Sequence, residues 1–125
     1  MDITFTEKEI DMICKYYGVY NFEEDENILT YQERKILVDR FVKEWDKTNK
    51  TILVICNGPQ LMITADVLKG RTCSGYYAIE ADIKNAGATY DRSPVVIDRN
   101  IVSCPHYDFM GDWMREGIKI YNTIA

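Results

Sequence analysis

Of the residues able to do chemistry in this chain, Cys56 stands in the most informative setting. It ends the uninterrupted apolar run Ile52-Leu53-Val54-Ile55 and is followed by Asn57-Gly58-Pro59. A mostly β-branched run without a charge is the mark of a strand buried on both faces, and Pro59 suits the first turn of a helix. A cysteine at such a strand-to-helix turn lies at the carboxyl edge of an open α/β sheet, where ligands and catalytic groups collect. Unpaired N–H groups and the positive end of the helix dipole favour thiolate over thiol there. Gly58 is expected to allow the sharp turn that pushes the side chain outward, which makes a nucleophile elbow carrying sulfur. The alternative is a buried, inert cysteine, and residue types alone leave both open.

Other candidates are weaker. His106 is the one histidine; it follows a hairpin-like segment and could approach Cys56 as a base, or sit exposed in a loop. The acid run Glu23-Glu24-Asp25-Glu26 reads first as a solvated loop. Cys14, Cys73 and Cys104 form no CxxC pair with one another or with Cys56, so a zinc site is poorly supported and no metal or other cofactor is expected. Their scatter fits reduced thiols of a cytoplasmic protein better than two disulfides. A regulatory bridge involving Cys73 or Cys104 competes with plain packing. Asn57 offers an amide donor or simply a residue tolerant of unusual backbone. Tyr16, Tyr17 and Tyr20 suit a pocket, an interface or core filling.

The elements that must position these residues alternate. Residues 10–14 read as a short strand, and Thr30 opens a helix with Glu33 completing a capping box. Leu37, Val38, Phe41, Val42 and Trp45 recur on one stripe of that helix. After the 52–55 strand, a helix from Pro59 through Leu61, Met62, Ala65 and Leu68 ends at Gly70. Residues 72–77 suggest a strand, and 79–86 a helix closed by Gly87. Val95–Ile97 and Ile101–Ser103 form a hairpin around Asp98-Arg99-Asn100. A last helix from about 109 to 121 gathers Phe109, Met110, Trp113, Met114, Gly117, Ile118 and Tyr121 on one side. Strand and helix in alternation predict an α/β sandwich with a mostly parallel sheet.

Bulk properties agree. With 125 residues, 46% of them hydrophobic, the chain is expected to form one domain over residues 1–125. No apolar run reaches membrane-spanning length, and the first residues lack a basic-then-apolar leader. The net charge is −5, with lysine and arginine scattered, which disfavours a nucleic-acid partner.

Several segments in order carry a resemblance. Ile55-Cys56-Asn57-Gly58-Pro59-Gln60-Leu61 and Val67-Leu68-Lys69-Gly70-Arg71 look like the ThiJ/PfpI family's strand, Cys-His-Gly-Pro-Gln turn and Val-Leu-(Lys/Arg)-Gly-Arg helix end. Asn85-Ala86-Gly87-Ala88, the Val95–Ser103 hairpin and Trp113-Met114-Arg115-Glu116 match further family segments. The resemblance implies a flavodoxin-like three-layer sandwich within the class I glutamine amidotransferase-like superfamily, here without the family's first βαβ portion. It makes Cys56 the matching nucleophile or redox-sensing residue.

Four differences follow. The family glutamate beside the cysteine is absent, and its histidine is replaced by Asn57. Its oxyanion Gly-Gly is matched by Tyr17-Gly18, and Pro105 stands where many members have arginine. The resemblance further sets Glu23, Glu24 and Glu26 near the place where a neighbouring subunit lends a triad acid. Two functions result. One is a cysteine-dependent hydrolase or a glyoxalase/deglycase-like enzyme, with Cys56 attacking a carbonyl, N–H groups of Asn57 and Gly58 steadying the oxyanion, and His106 or an acid moving the proton. The other is a non-catalytic subunit, redox sensor or chaperone-like domain. In either case the absent first strand of a 2-1-3-4-5 sheet would leave the strand at 10–14 with an unpaired edge. A homo-oligomer or a companion chain is therefore expected.

Overall fold

The computed structural model describes residues 6–9 and 31–124. The expected strand at 10–14, the Thr30 cap, Cys14, Tyr16, Tyr17, Gly18, Tyr20 and the acids at 23–26 lie outside the described residues. Helix α1 (Tyr31–Lys47) leads into β1 (Ile52–Ile55), α2 (Pro59–Thr64) and β2 (Thr72–Cys73). A 3₁₀ turn at Tyr77–Ile79 then precedes α3 (Glu80–Asn85) and β3 (Thr89–Tyr90). The hairpin β4 (Val96–Asp98) and β5 (Ile101–Cys104) follows, and a 3₁₀ turn at Tyr107–Phe109 starts α4 (Met110–Ile124).

β1 pairs parallel with β5, with Ile55 opposite Cys104, and β4 pairs antiparallel with β5. β2 and β3 form a separate parallel pair, and β2 lies against β4. Alternation along the strands feeds two apolar clusters. Val54 and Ile101 pack with Met62, Leu68, Cys73, Ile79 and Ile83 from the α2 and α3 side. Val102 and Cys104 pack with Trp113 of α4, whose indole N–H donates to the Val102 carbonyl at 2.9 Å. Helices on both faces of a mostly parallel sheet make the expected three-layer, flavodoxin-like sandwich.

Three segments differ from the sequence reading. α2 stops at Thr64 rather than continuing to Gly70. Asp66 adopts φ 55°; its N–H bonds the Ile63 carbonyl and that of Val67 bonds Met62. That pairing is a Schellman cap with aspartate in the left-handed position usually held by glycine. β2 is only two residues long, because Ser74 N–H leaves the ladder for the Ser103 hydroxyl at 2.8 Å. Phe41 is exposed rather than part of a buried stripe, stacking on Trp45 instead.

Helix α4 is also split. Trp113 and Gly117 face the sheet, while Met110, Met114, Ile118 and Tyr121 stay exposed. Leu53 is exposed as well. With Trp45, Gly117, Ile118 and Tyr121 it lines a groove of about 600 Å³. Among the described residues nothing pairs with the free edge of β1.

The amino-terminal end of this sheet is closed by a buried guanidinium. Arg71 donates to Asp46 Oδ1 at 2.8 Å, to the Asp98 carbonyl at 3.0 Å and to Asn100 Oδ1. Asn100 in turn donates to Asp46 and to the Lys50 carbonyl. One side chain thus ties the end of α1, the start of β2 and the hairpin together.

Candidate active site

Cys56 sits immediately beyond β1, half-buried, at φ 57°. This is the left-handed region that side chains seldom occupy, and such outliers concentrate at functional sites. Two hydrogen bonds hold it there. Its N–H donates to the Cys104 carbonyl at 3.0 Å, and its carbonyl accepts from Tyr76 N–H at 2.7 Å. Cys56 thus stands at the carboxyl rim of the sheet and is not among the buried residues.

Gly58 plays a different part from the one expected. Its φ and ψ are −52° and −37°, ordinary for any residue, so the turn's special backbone belongs to Cys56. Gly58 is required by space. A Cβ there would lie 2.9 Å from both the Ile55 carbonyl oxygen and Val54 Cγ2. Its N–H is also engaged, donating to the Ile55 carbonyl at 2.8 Å, which removes it as an oxyanion donor. The Asn57 N–H makes no hydrogen bond among the described residues. The exposed Asn57 carbonyl accepts from Gln60 N–H, and the Gly58 carbonyl from Leu61 N–H, opening α2. At six residues α2 carries a smaller dipole than the longer helix expected from the sequence.

His106 is brought to the same rim, yet no hydrogen bond joins it to Cys56. Its Nδ1 accepts from Asp108 N–H at 3.2 Å and lies 3.2 Å from Asp108 Oδ2. In the neutral ring this places the proton on Nε2. The basic nitrogen is therefore spent on its own turn rather than offered to sulfur. The ring lies 3.9 Å from Tyr107 and 6.4 Å from Tyr76, centroid to centroid. Tyr76, which sequence reasoning missed, joins the two halves of the site through its backbone N–H and its ring. A main-chain donor leaves no mark on residue type. Gly75, just before it, was the available clue: a Cβ there would meet Ile83 Cδ1 at 2.8 Å.

The two other described cysteines differ in their relation to the site. Cys73 is sealed in the core, its Sγ donating to the Ser74 carbonyl at 3.0 Å, and burial pushes its pKa up. Cys104 is equally sealed, its Sγ donating to the His106 carbonyl at 3.1 Å. Burial raises the Cys104 pKa, and negative charge at Cys56 raises it further. Pro105, which follows it, is fully buried.

Comparison with known proteins settles the kinship. The model of the DJ-1/PfpI family matches residues 26–120. The chain belongs to the DJ-1/PfpI family. It is 42% identical over 78 residues to the protein named deglycase TK1284 of Thermococcus kodakarensis, covering 62% of this chain and 47% of that one. It is 44% identical over 71 residues to deglycase PfpI of Pyrococcus furiosus, covering 57% of this chain and 43% of that one. The chain therefore spans about half the length of the curated relatives it matches. A two-domain protein of Anabaena variabilis with DJ-1/ThiJ/PfpI-like and ferritin-like domains superposes with a TM-score of 0.63 at 31% identity. That match covers 65% of this chain and 23% of that one. No described helix is long and apolar enough to cross a membrane.

Proposed function

We propose that this chain performs cysteine-dependent chemistry on reactive carbonyl compounds, of the deglycase or glyoxalase kind, with Cys56 as nucleophile. The observation that carries the reading is the half-buried cysteine held at a left-handed strand end, beside an Asn57 N–H that makes no hydrogen bond among the described residues. Two relatives named deglycases support it. The Cys56 thiolate adds to the aldehyde carbon of a 2-oxoaldehyde, and the carbonyl π pair moves to oxygen. Asn57 N–H then donates to that oxygen. The product is a hemithioacetal. Passing its carbon-bound proton onward requires a base, which the His106 Nδ1 cannot supply while it accepts from Asp108.

We assign that base to a partner polypeptide, either a second copy or a companion chain, at the edge of β1 that no described strand covers. Among the described residues the edge of β1 is unpaired and stands beside exposed Leu53, Ile118 and Tyr121, a surface that invites another chain. Reduced cysteines suit a cytoplasmic setting for such chemistry. Methylglyoxal consumption by the purified chain, alone and with its assembly partner, tests the reading. Turnover abolished by Cys56→Ser is expected. Turnover equal in the serine variant would remove Cys56 from the reaction.

The second reading, a non-catalytic or redox-sensing subunit, is favoured by the missing Cys56–His106 hydrogen bond. It is the one left standing if no assembly turns over carbonyl or peptide substrates while Cys56 still alkylates rapidly. Light scattering on the eluting protein reads the assembly directly. A lone monomer at micromolar concentration would count against any partner at the β1 edge.

A further inference from the structure

The geometry points to Cys104 as the resolving thiol for Cys56: a hydroperoxide oxidises Cys56, and Cys104 closes an intrachain disulfide with it. The inference rests on the reading of Cys56 as a reactive thiol and goes beyond carbonyl chemistry. The two residues are neighbours across the β1–β5 pairing, with Ile55 opposite Cys104. Cys56 N–H bonds the Cys104 carbonyl at 3.0 Å. Strands lie about 4.8 Å apart, so this bond keeps the two Cα atoms inside the roughly 4.4–6.8 Å window from which disulfides are built. Charge at Cys56 is felt at the Cys104 thiol. Cys73 has no such link to Cys56; its electrostatic neighbours are Ser103, Arg71 and Asp98.

Accessibility divides the labour. Cys56 is half-buried and open to a small oxidant, whereas Cys104 is fully enclosed. A hydroperoxide ROOH transfers its terminal oxygen to the Cys56 thiolate, giving sulfenate and ROH, and the sulfenate picks up a proton. The Cys104 thiol, after losing its proton, attacks the Cys56 sulfur. The S–O bond breaks, hydroxide leaves and takes up that proton as water, and the S–S bond forms. Peroxide is reduced by two electrons and two thiols are oxidised by two. Closure also withdraws the Cys104 Sγ–H from the His106 carbonyl, loosening the turn that starts α4. Because burial holds the Cys104 pKa high, closure accelerates with rising pH through the ordinary thiol range and beyond it.

Treating the protein with hydrogen peroxide and mapping its peptides without reductant tests this. The expected result is a Cys56–Cys104 linked pair, reversed by dithiothreitol. In Cys104→Ser, sulfenic acid at Cys56 trapped by dimedone should rise about tenfold and proceed to sulfinic acid. If wild-type Cys56 becomes sulfenic or sulfinic acid with no bond to Cys104, or links instead to Cys14 or Cys73, the resolving role fails while the reactive thiol stands. If peroxide and dimedone leave Cys56 untouched while the fold is intact by circular dichroism, both fail.

Discussion

Replacing Gly58 with alanine separates two reasons for a glycine at the elbow. Were left-handed backbone the reason, alanine would suffer conformational strain. At φ −52° and ψ −37° it suffers none, and restricting the unfolded chain would stabilise by about 0.4–1 kcal/mol. Sterics act in the opposite direction. The new Cβ would stand 2.9 Å from the Ile55 carbonyl oxygen and 2.9 Å from Val54 Cγ2. The oxygen is backbone and already accepts Gly58's own N–H at 2.8 Å. Moving it aside strains that bond and the end of β1 together. Overpacking costs about 1–3 kcal/mol and a weakened hydrogen bond about 0.5–1.5 kcal/mol. The net is about 2 kcal/mol of destabilisation. For 125 residues the unfolding entropy is about 0.26 kcal/mol/K, so Tm should fall by about 8 °C. Urea unfolding followed by tryptophan fluorescence reads the first quantity, and the iodoacetamide rate at Cys56 reads the displaced elbow. A Tm loss below about 2 °C with an unchanged alkylation rate would refute the steric account. Gly70→Ala is the contrast. With φ 77° and open space around it, it should lose about 1 kcal/mol through backbone strain and leave Cys56 reactivity alone.

Arg71→Met should cost about 3 kcal/mol in urea unfolding, the lower end for a broken buried pair. Asp46 remains 24% exposed and keeps its bond from Asn100. Arg71→Lys, which retains charge without the fork, should fall between. Arg99→Gly should stabilise by about 0.5–1 kcal/mol, because Arg99 holds φ 54°; its exposed pair with Asp98 contributes little. A lower midpoint in that variant would overturn the strain assignment. Asp98 titrates below its ordinary range: burial pushes it up, but Thr72 N–H, Arg99 and the Arg71 charge outweigh burial. A lowered folded pKa contributes stability above the unfolded value that disappears as pH falls through the folded one. Stability should therefore drop from roughly pH 5 downward, and Asp98→Asn should flatten that drop. An unchanged acid limb in the variant would remove Asp98 as its source.

The placement of Cys56 was legible because a charge-free β-branched run followed by Gly-Pro admits few structures. The end of α2 was not, because aspartate rarely takes the left-handed cap and Gly70 looked the better stop. Gly70 does take positive φ, but in the next turn, where its N–H reaches the Gly87 carbonyl. β3 escaped notice because a two-residue strand has no periodicity to read. Periodicity did place Met114, Ile118 and Tyr121 on one side of α4. It says which residues share a face and nothing about what covers that face, and among the described residues nothing does. His106 shows the same boundary. Its type and position announce a base, whereas the direction of its lone pair, decided by Asp108 N–H, is a matter of three dimensions.

Three of the family segments recognised in the chain stand at the two ends of one short strand. At the start of β1, Ile52 N–H reaches the Asn100 carbonyl, and Asn100 belongs to the Arg71 network. At its finish stands Cys56. Four strand residues at about 3.3 Å each put these ends roughly 13 Å apart. The Gly-Arg and Asp-Arg-Asn segments thus secure the scaffold, and only the Cys-Asn-Gly-Pro segment shapes the thiol. Their perturbations should separate accordingly. Arg71→Met lowers the unfolding midpoint while the folded protein alkylates at Cys56 as before, whereas Gly58→Ala changes both. If Arg71→Met slowed alkylation under conditions where the protein remains folded, the two ends would be coupled through β1. The polar network would then be part of the site rather than its support.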